Sequence, residues 1–153
     1  MNAESKKNRY ARMYEQVKEL TAPIAEPVAR MATLVAVLHH KMDYFFWTGF
    51  YCLKNGELLV NAYQGPLACL RLKKDTGVCW AGINQQKTIV VGDVHDFPGH
   101  IACSSLTASE IVVPLRNKVG EIVGVLDVDS KRLNSFDDID AAGLEKLVDL
   151  IYL

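Results

Sequence analysis

The chain has 153 residues, half of them apolar and 23% charged, with 17 Lys+Arg against 18 Asp+Glu for a net charge of -1; that length fits a single domain over residues 1–153 able to bury a core without staples. The balance gives no footprint for nucleic acid or an acidic membrane surface, no apolar run reaches the ~18 residues of a membrane span, and Met1-Asn2-Ala3-Glu4-Ser5-Lys6-Lys7 lacks the apolar core of a secretory signal. A cytoplasmic location is therefore expected, where four cysteines read as catalytic, metal-binding or buried rather than as a disulfide framework.

Tyr10, Met13, Tyr14, Val17 and Leu20 recur at helical spacing and predict a helix over about residues 5–20. Pro23 and Pro27 interrupt it, and a second, largely buried helix is expected from Glu26 to Met42. The period then changes. Phe45 to Leu53 reads as an aromatic-rich strand, Lys54-Asn55-Gly56-Glu57 as a hairpin turn and Leu58 to Tyr63 as its partner. Residues 67–87 read as irregular, with a short helix over Cys79 to Gln86. Thr88 to Val91 is a short strand, and Asp93 to Ser105 a loop. Glu110 to Leu115 and Glu121 to Asp129 are strands joined by a turn at Arg116 to Gly120. Ser135 is expected to cap a last helix, with Asp138 closing a weak capping box and Phe136, Ile139, Leu147 and Ile151 on its inner face. The order predicts an α+β fold. A central antiparallel sheet carries the N- and C-terminal helices on one face, and the loop-rich excursion over residues 64–109 covers a ligand pocket on the other.

The thiols are the first candidates for chemistry. Cys103 closes the Pro/Gly-kinked stretch that begins at Asp93 and carries His95 and His100. An ordinary thiol has a pKa near 8.5, so only about 3% is thiolate at pH 7. Cys103 is either a nucleophile helped by a histidine or by the backbone of Ser104 to Leu106, or a small buried hydrophobe. Either Cys69 or Cys79 can resolve a sulfenic acid on it, and Arg71 can hold a thiolate nearby. No Cys-x-x-Cys pair is present, which excludes a thioredoxin-like centre. Cys52 alternates with Phe46, Thr48 and Phe50 and is assigned to the core. His95, His100 and Cys103 fit no common zinc spacing, so no metal is expected. His39 and His40 end a helix, where they meet its dipole favourably.

The carboxylates are more specific. Asp127 and Asp129 lie two apart on an otherwise apolar strand and share a face, and Glu110 pairs near the same end. Three clustered acids cannot all stay ionised cheaply, so one would hold a proton and could donate it. The plainer reading is a solvated strand end. Trp47 and Tyr51, with Phe45 and Gly49, alternate onto one face, as the wall of a small-ligand pocket or as core.

With these residues in view the sequence resembles the free methionine-(R)-sulfoxide reductases, which are stand-alone GAF domains. The matching segments are Phe46–Tyr51, Gly65–Cys69, Gly77–Cys79, Asp93–Cys103, Ser109–Leu115 and Gly124–Ser130, and the block ending at Cys103 is the most specific. The resemblance implies a GAF fold with Cys103 as nucleophile, Cys69 as the usual resolving cysteine and Cys79 as a third cysteine. It places Glu110, Asp127 and Asp129 around the sulfoxide oxygen and amino group, and Trp47 and Tyr51 around the methyl-sulfur end. It implies free methionine sulfoxide as substrate, no metal or organic cofactor, thioredoxin or another dithiol as external reductant, and a surface that can pair as a homodimer. Two positions depart from the pattern: Ser104 replaces an Asp that often follows the nucleophile, and Trp80 replaces a small residue after Cys79. The competing expectation is a non-catalytic, small-molecule-sensing GAF module.

Overall fold

The computed structural model describes residues 1–100 and 103–153; Ile101 and Ala102 of the Asp93–Cys103 block lie outside the described residues. Helix α1 (Ala3–Thr21) starts at Asn2, whose side chain accepts from the Ser5 N–H at 2.8 Å. Helix α2 (Pro27–Lys41) begins on Pro27, where the missing N–H costs nothing, and ends in His39, His40 and Lys41. Strands β1 (Trp47–Lys54) and β2 (Glu57–Gln64) form the expected hairpin, with Asn55 and Gly56 both at positive φ. A two-residue strand β3 (Arg71–Leu72) and helix α3 (Gly77–Gln85) follow. Strands β4 (Ile89–Val91), β5 (Ser109–Arg116) and β6 (Ile122–Ser130) complete the sheet, and helix α4 (Asp138–Val148) closes the fold.

The six strands are antiparallel in the order β3-β2-β1-β6-β5-β4, so β1 and β6, far apart in sequence, are the central pair. Helices α1, α2 and α4 cover one face. Met13, Val17, Leu34, Leu38, Leu144 and Leu147 meet Phe50, Ile111, Leu115 and Leu126 there, all essentially without solvent contact. Each such side chain contributes about 1.5–3 kcal/mol on burial. The other face carries a second core, in which Leu58, Leu72, Val112 and Val125 meet Val78 and Trp80 of α3 beneath the long excursion. The expected two-faced α+β architecture is the one observed. Among the described residues no helix is long and apolar enough to cross a membrane.

A buried ionic cluster fastens α1 to α4. The Asp140 carboxylate accepts from Lys6 Nζ, from Tyr10 Oη at 2.7 Å, from Tyr44 Oη and from the Asp137 N–H at 2.9 Å. Its lone pairs are thus satisfied, which is the condition for keeping a charge inside; deleting one member of such a cluster costs about 3–5 kcal/mol. Arg30 secures the chain end in the same manner, donating to the carbonyls of Ile24, Leu150, Ile151 and Leu153.

Several expectations need correction. The final helix is capped by Asp137, with Asp140 as the reciprocal partner, rather than by Ser135 with Asp138; Ser135 instead bonds Ser130 Oγ and the Arg132 carbonyl. Strand β1 starts at Trp47, so the alternation does not extend back through the bend at Phe46. Phe45 consequently packs with the helices and Phe46 with the opposite core, the reverse of their assigned faces. Cys52 does face the helices, half-buried, with Sγ 3.9 Å from Met31 Sδ. β3 carries no signal of its own because two residues are too few for a periodicity. Arg71 lies on it, exposed and paired with Glu57 at 3.1 Å, not beside a thiolate.

Candidate active site

Pairing in the sheet assembles the acidic cluster. Gly49 lies opposite Asp127 and Trp47 opposite Asp129 across β1 and β6, while Glu110 lies opposite Asp129 across β5 and β6. Directly paired residues share a face, so the three carboxyls converge on the side away from α1, α2 and α4. Glu110 and Asp127 are buried, and one carboxyl oxygen each of Asp127 and Asp129 has no hydrogen-bond partner. The solvated strand end is therefore excluded. Burial, and then the Asp129 charge, push the Glu110 carboxyl up to about 8. Burial raises Asp127 and Asp129 as well, with the neighbouring acids adding to it. Glu110 therefore keeps its proton at neutral pH, which makes it a hydrogen-bond donor aimed into a cleft.

An aromatic wall stands beside these acids. The Trp47 ring stacks between Tyr51 and Tyr63, with centroids 5.7 and 5.3 Å away. Gly49 makes room for it: a Cβ there would lie 2.6 Å from Trp47 Cη2 and 2.4 Å from Tyr63 Cβ. The polar ends of the wall secure the following loop, with Trp47 Nε1 donating to the Pro66 carbonyl at 3.1 Å and Tyr51 Oη to the Cys69 carbonyl at 2.8 Å. Burial, reinforced by Asp127, keeps the Tyr51 hydroxyl protonated.

The loop so held brings Cys69 to Cys103, and the two form a disulfide with Cα atoms 5.6 Å apart. Cys103 is exposed and Cys69 half-buried. Cys79 stands apart as a buried free thiol on α3. Burial and then the Asp127 charge raise its pKa well above the ordinary value, so it is a neutral thiol rather than a nucleophile in this form. Its sulfur and the Glu110 and Asp127 carboxyls lie within 4.8 Å of one another, the one such ligand-type cluster among the described residues. All three groups would have to lose protons that burial helps them keep, so the donor set suits proton chemistry better than a cation.

The cleft between these parts is lined by Trp47, Tyr51, Cys79, Cys103, Glu110, Asp127 and Asp129, with about 50 Å³ of free space in the disulfide form. It thus brings together every site residue expected from sequence except Cys69, whose carbonyl and disulfide border it. His100, considered above as a helper of Cys103, instead has its Nε2 3.5 Å from Glu110 Oε1, and its ring lines the cleft. No spacing signal marked this, because the contact crosses from the loop to β5. His95 is exposed and engaged with Asp93 at 3.0 Å, so the two histidines do not form a common site with Cys103.

The geometry agrees with comparisons across known proteins. A GAF domain model matches residues 31–152. The chain is 46% identical to GAF domain-containing protein A of Dictyostelium discoideum, covering 96% of this chain and 92% of that one. It is 37% identical to the free methionine-R-sulfoxide reductase of Escherichia coli, covering 91% and 84%. The X-ray structure of the Neisseria meningitidis free methionine-R-sulfoxide reductase in complex with its substrate superposes with a TM-score of 0.92 at 41% identity, over 99% and 91% of the two chains. The chain belongs to the free methionine-R-sulfoxide reductase family of GAF domains. Both departures from that family's pattern have a structural account here. Ser104 lines the cleft, and its Oγ accepts from the Leu106 N–H at 3.3 Å, bracing the turn after Cys103. Trp80 is buried, and its Nε1 donates to the Leu72 carbonyl at 3.1 Å. In this member of the family the indole therefore ties α3 to β3 and leaves Cys79 facing the acids.

Proposed function

We propose that this protein reduces free methionine-(R)-sulfoxide to methionine at Cys103, with Cys69 resolving the intermediate. The single observation that carries the reading is the Cys69–Cys103 disulfide beside a cluster of three carboxyls, of which Glu110 is pushed up to about 8, and an aromatic wall. The acids offer a site for the substrate ammonium. A protonated member, Glu110 first because it faces both the cleft and His100, donates to the sulfoxide oxygen and makes the sulfur electrophilic. Trp47 and Tyr51 receive the methyl-sulfur end. The Cys103 thiolate attacks sulfur; with uptake of one proton the oxygen passes from the substrate sulfur to the Cys103 sulfur, the bond between the two sulfurs breaks, methionine leaves and Cys103 is a sulfenic acid. The Cys69 thiol then forms the S–S bond and releases water. An external dithiol such as thioredoxin supplies the two electrons that restore both thiols.

The bridged form leaves about 50 Å³ in the cleft, room for a few waters at ~10–15 Å³ each but not for methionine sulfoxide. Reduction of the disulfide therefore precedes substrate binding, and the bridged state is the one left at the end of a turnover. No metal or organic cofactor enters any step. A single GAF domain acting in the reducing cytoplasm completes the proposal.

Incubating the reduced protein with each epimer of free methionine sulfoxide and dithiothreitol tests the reading. Methionine should appear from the R epimer and not from the S epimer. Absence of methionine from both would instead favour a non-catalytic, ligand-sensing module. With thioredoxin, its reductase and NADPH, Cys69→Ser is expected to complete at most one turnover, read as methionine per enzyme. Undiminished multiple turnover would move the resolving role to Cys79 or to the external reductant itself.

A further inference from the structure

We infer that Leu70 and Leu106, with Leu67 beside them, form an apolar rim around the Cys69–Cys103 bridge that docks a protein dithiol of the thioredoxin class. The inference rests on the proposed reductase cycle, in which an external dithiol must touch this disulfide. Leu67, Leu70 and Leu106 are 87%, 73% and 57% exposed. Single exposed leucines are ordinary; apolar side chains gathered at one place mark interaction sites. The chain itself gathers these. Leu70 follows Cys69 directly, Leu67 precedes it by two residues, and Leu106 lies three residues past Cys103.

Distance decides whether one partner can cover them. Consecutive Cα atoms are about 3.8 Å apart, so Leu106 lies within about 11 Å of Cys103, and Leu70 lies closer still to Cys69. A transient redox contact of about 600 Å² per partner reaches roughly 14 Å from its centre. A footprint centred on the bridge therefore takes in all three leucines. The braces already described hold the rim in place. Tyr51 Oη bonds the Cys69 carbonyl at 2.8 Å, the Leu70 carbonyl accepts from the Val60 N–H at 2.9 Å, and Ser104 Oγ braces Leu106. Ordered apolar groups lose little further entropy on docking, which favours a weak but specific encounter.

The covalent step balances at the centre of this surface. The partner's thiolate attacks the exposed Cys103 sulfur, forming an intermolecular S–S bond and expelling Cys69 as a thiolate that takes up a proton. The partner's second thiol then attacks the mixed disulfide from the partner side and releases the Cys103 thiolate. The partner leaves oxidised by two electrons, and this chain leaves reduced by two. A small-molecule dithiol follows the same chemistry without using the rim, and that difference is the basis of the test.

The double variant Leu70→Ser/Leu106→Ser separates the two routes. Methionine formation from free methionine-(R)-sulfoxide is measured with dithiothreitol, and separately with thioredoxin at varied concentration plus its reductase and NADPH. The expected result is a fall of about tenfold or more in kcat/KM for thioredoxin, with the dithiothreitol rate and the KM for the sulfoxide unchanged. Thioredoxin kinetics equal to wild type would overturn the rim. Wild-type turnover with dithiothreitol but none with thioredoxin would overturn the partner class. Gel filtration showing a wild-type dimer that the variant dissociates would assign the leucines to a second copy of the chain, and overturn the inference as well. Failure of the wild type with dithiothreitol would sink the reductase reading, an outcome distinct from all of these.

Discussion

Cys103→Ser is expected to abolish methionine release from free methionine-(R)-sulfoxide, by about 10³-fold or more with dithiothreitol as reductant. The hydroxyl that replaces the thiol is scarcely ionised at neutral pH and attacks sulfur poorly. No second thiol can take over in place. Cys79 is buried beside Glu110 and Asp127 and held neutral, Cys69 has its carbonyl pinned by Tyr51 on the far side of the bridge, and Cys52 lies on the opposite face of the sheet with the helices. A circular dichroism spectrum matching wild type would show that the variant is folded, since the helix-side core and the Asp140 cluster do not involve Cys103. Full activity in this variant would remove Cys103 as nucleophile and leave Cys79 as the candidate, despite its surroundings.

Glu110→Gln should lower kcat by about 10²–10⁴-fold, because the amide can still donate a hydrogen bond but has no proton to deliver. The pH profile carries the more specific signature. Glu110 titrates near 8 in the folded protein, raised by burial first and Asp129 second, so it is protonated below that pH and ionised above it. Wild-type kcat/KM should therefore fall as pH rises through about 8, and this alkaline limb should vanish in the variant. Stability falls in the same pH direction. A carboxyl whose folded pKa lies above its unfolded value of about 4.3 binds its proton more tightly in the native state. Its contribution is fully present below the unfolded pKa and is lost as pH rises toward 8. The variant has no such group to ionise, so its Tm at pH 8–9 should exceed that of wild type. A lower Tm together with an intact alkaline limb would pass the proton to Asp127 or Asp129. The paired outcome expected here, slower but more stable, is the usual mark of a charge cluster kept for chemistry.

Much of the site could be read from local pattern. The period-2 spacing of Asp127 with Asp129 and of Trp47 with Tyr51 assigned each pair to one face, and the structure keeps those faces. A simple hairpin between β5 and β6 placed Glu110 near the same end as the aspartates, and the observed register sets it opposite Asp129. Pattern failed where structure is short or where a loop crosses to another element. β3 is two residues long, Phe45 and Phe46 lie on a bend before the strand period begins, and the His100–Glu110 contact joins a loop to a strand. Ser135 was expected as the helix cap, but Asp137 takes that place with Asp140, whose carboxylate serves both the cap and the buried Lys6 cluster.

The amino-acid sequence by itself determined the strand and helix periods, the faces on which the acids and aromatics lie, and the kinked block that presents Cys103. These are consequences of neighbours within a few residues, where side-chain direction is set by backbone geometry. Tertiary structure alone decided which thiol partners Cys103. Cys69 and Cys79 both sit within reach along the chain, but α3 buries Cys79 against the carboxyls while Trp47 and Tyr51 hold the loop of Cys69 at the mouth of the cleft. It also decided that Glu110 keeps its proton at neutral pH, since packing from distant segments has removed the water around it.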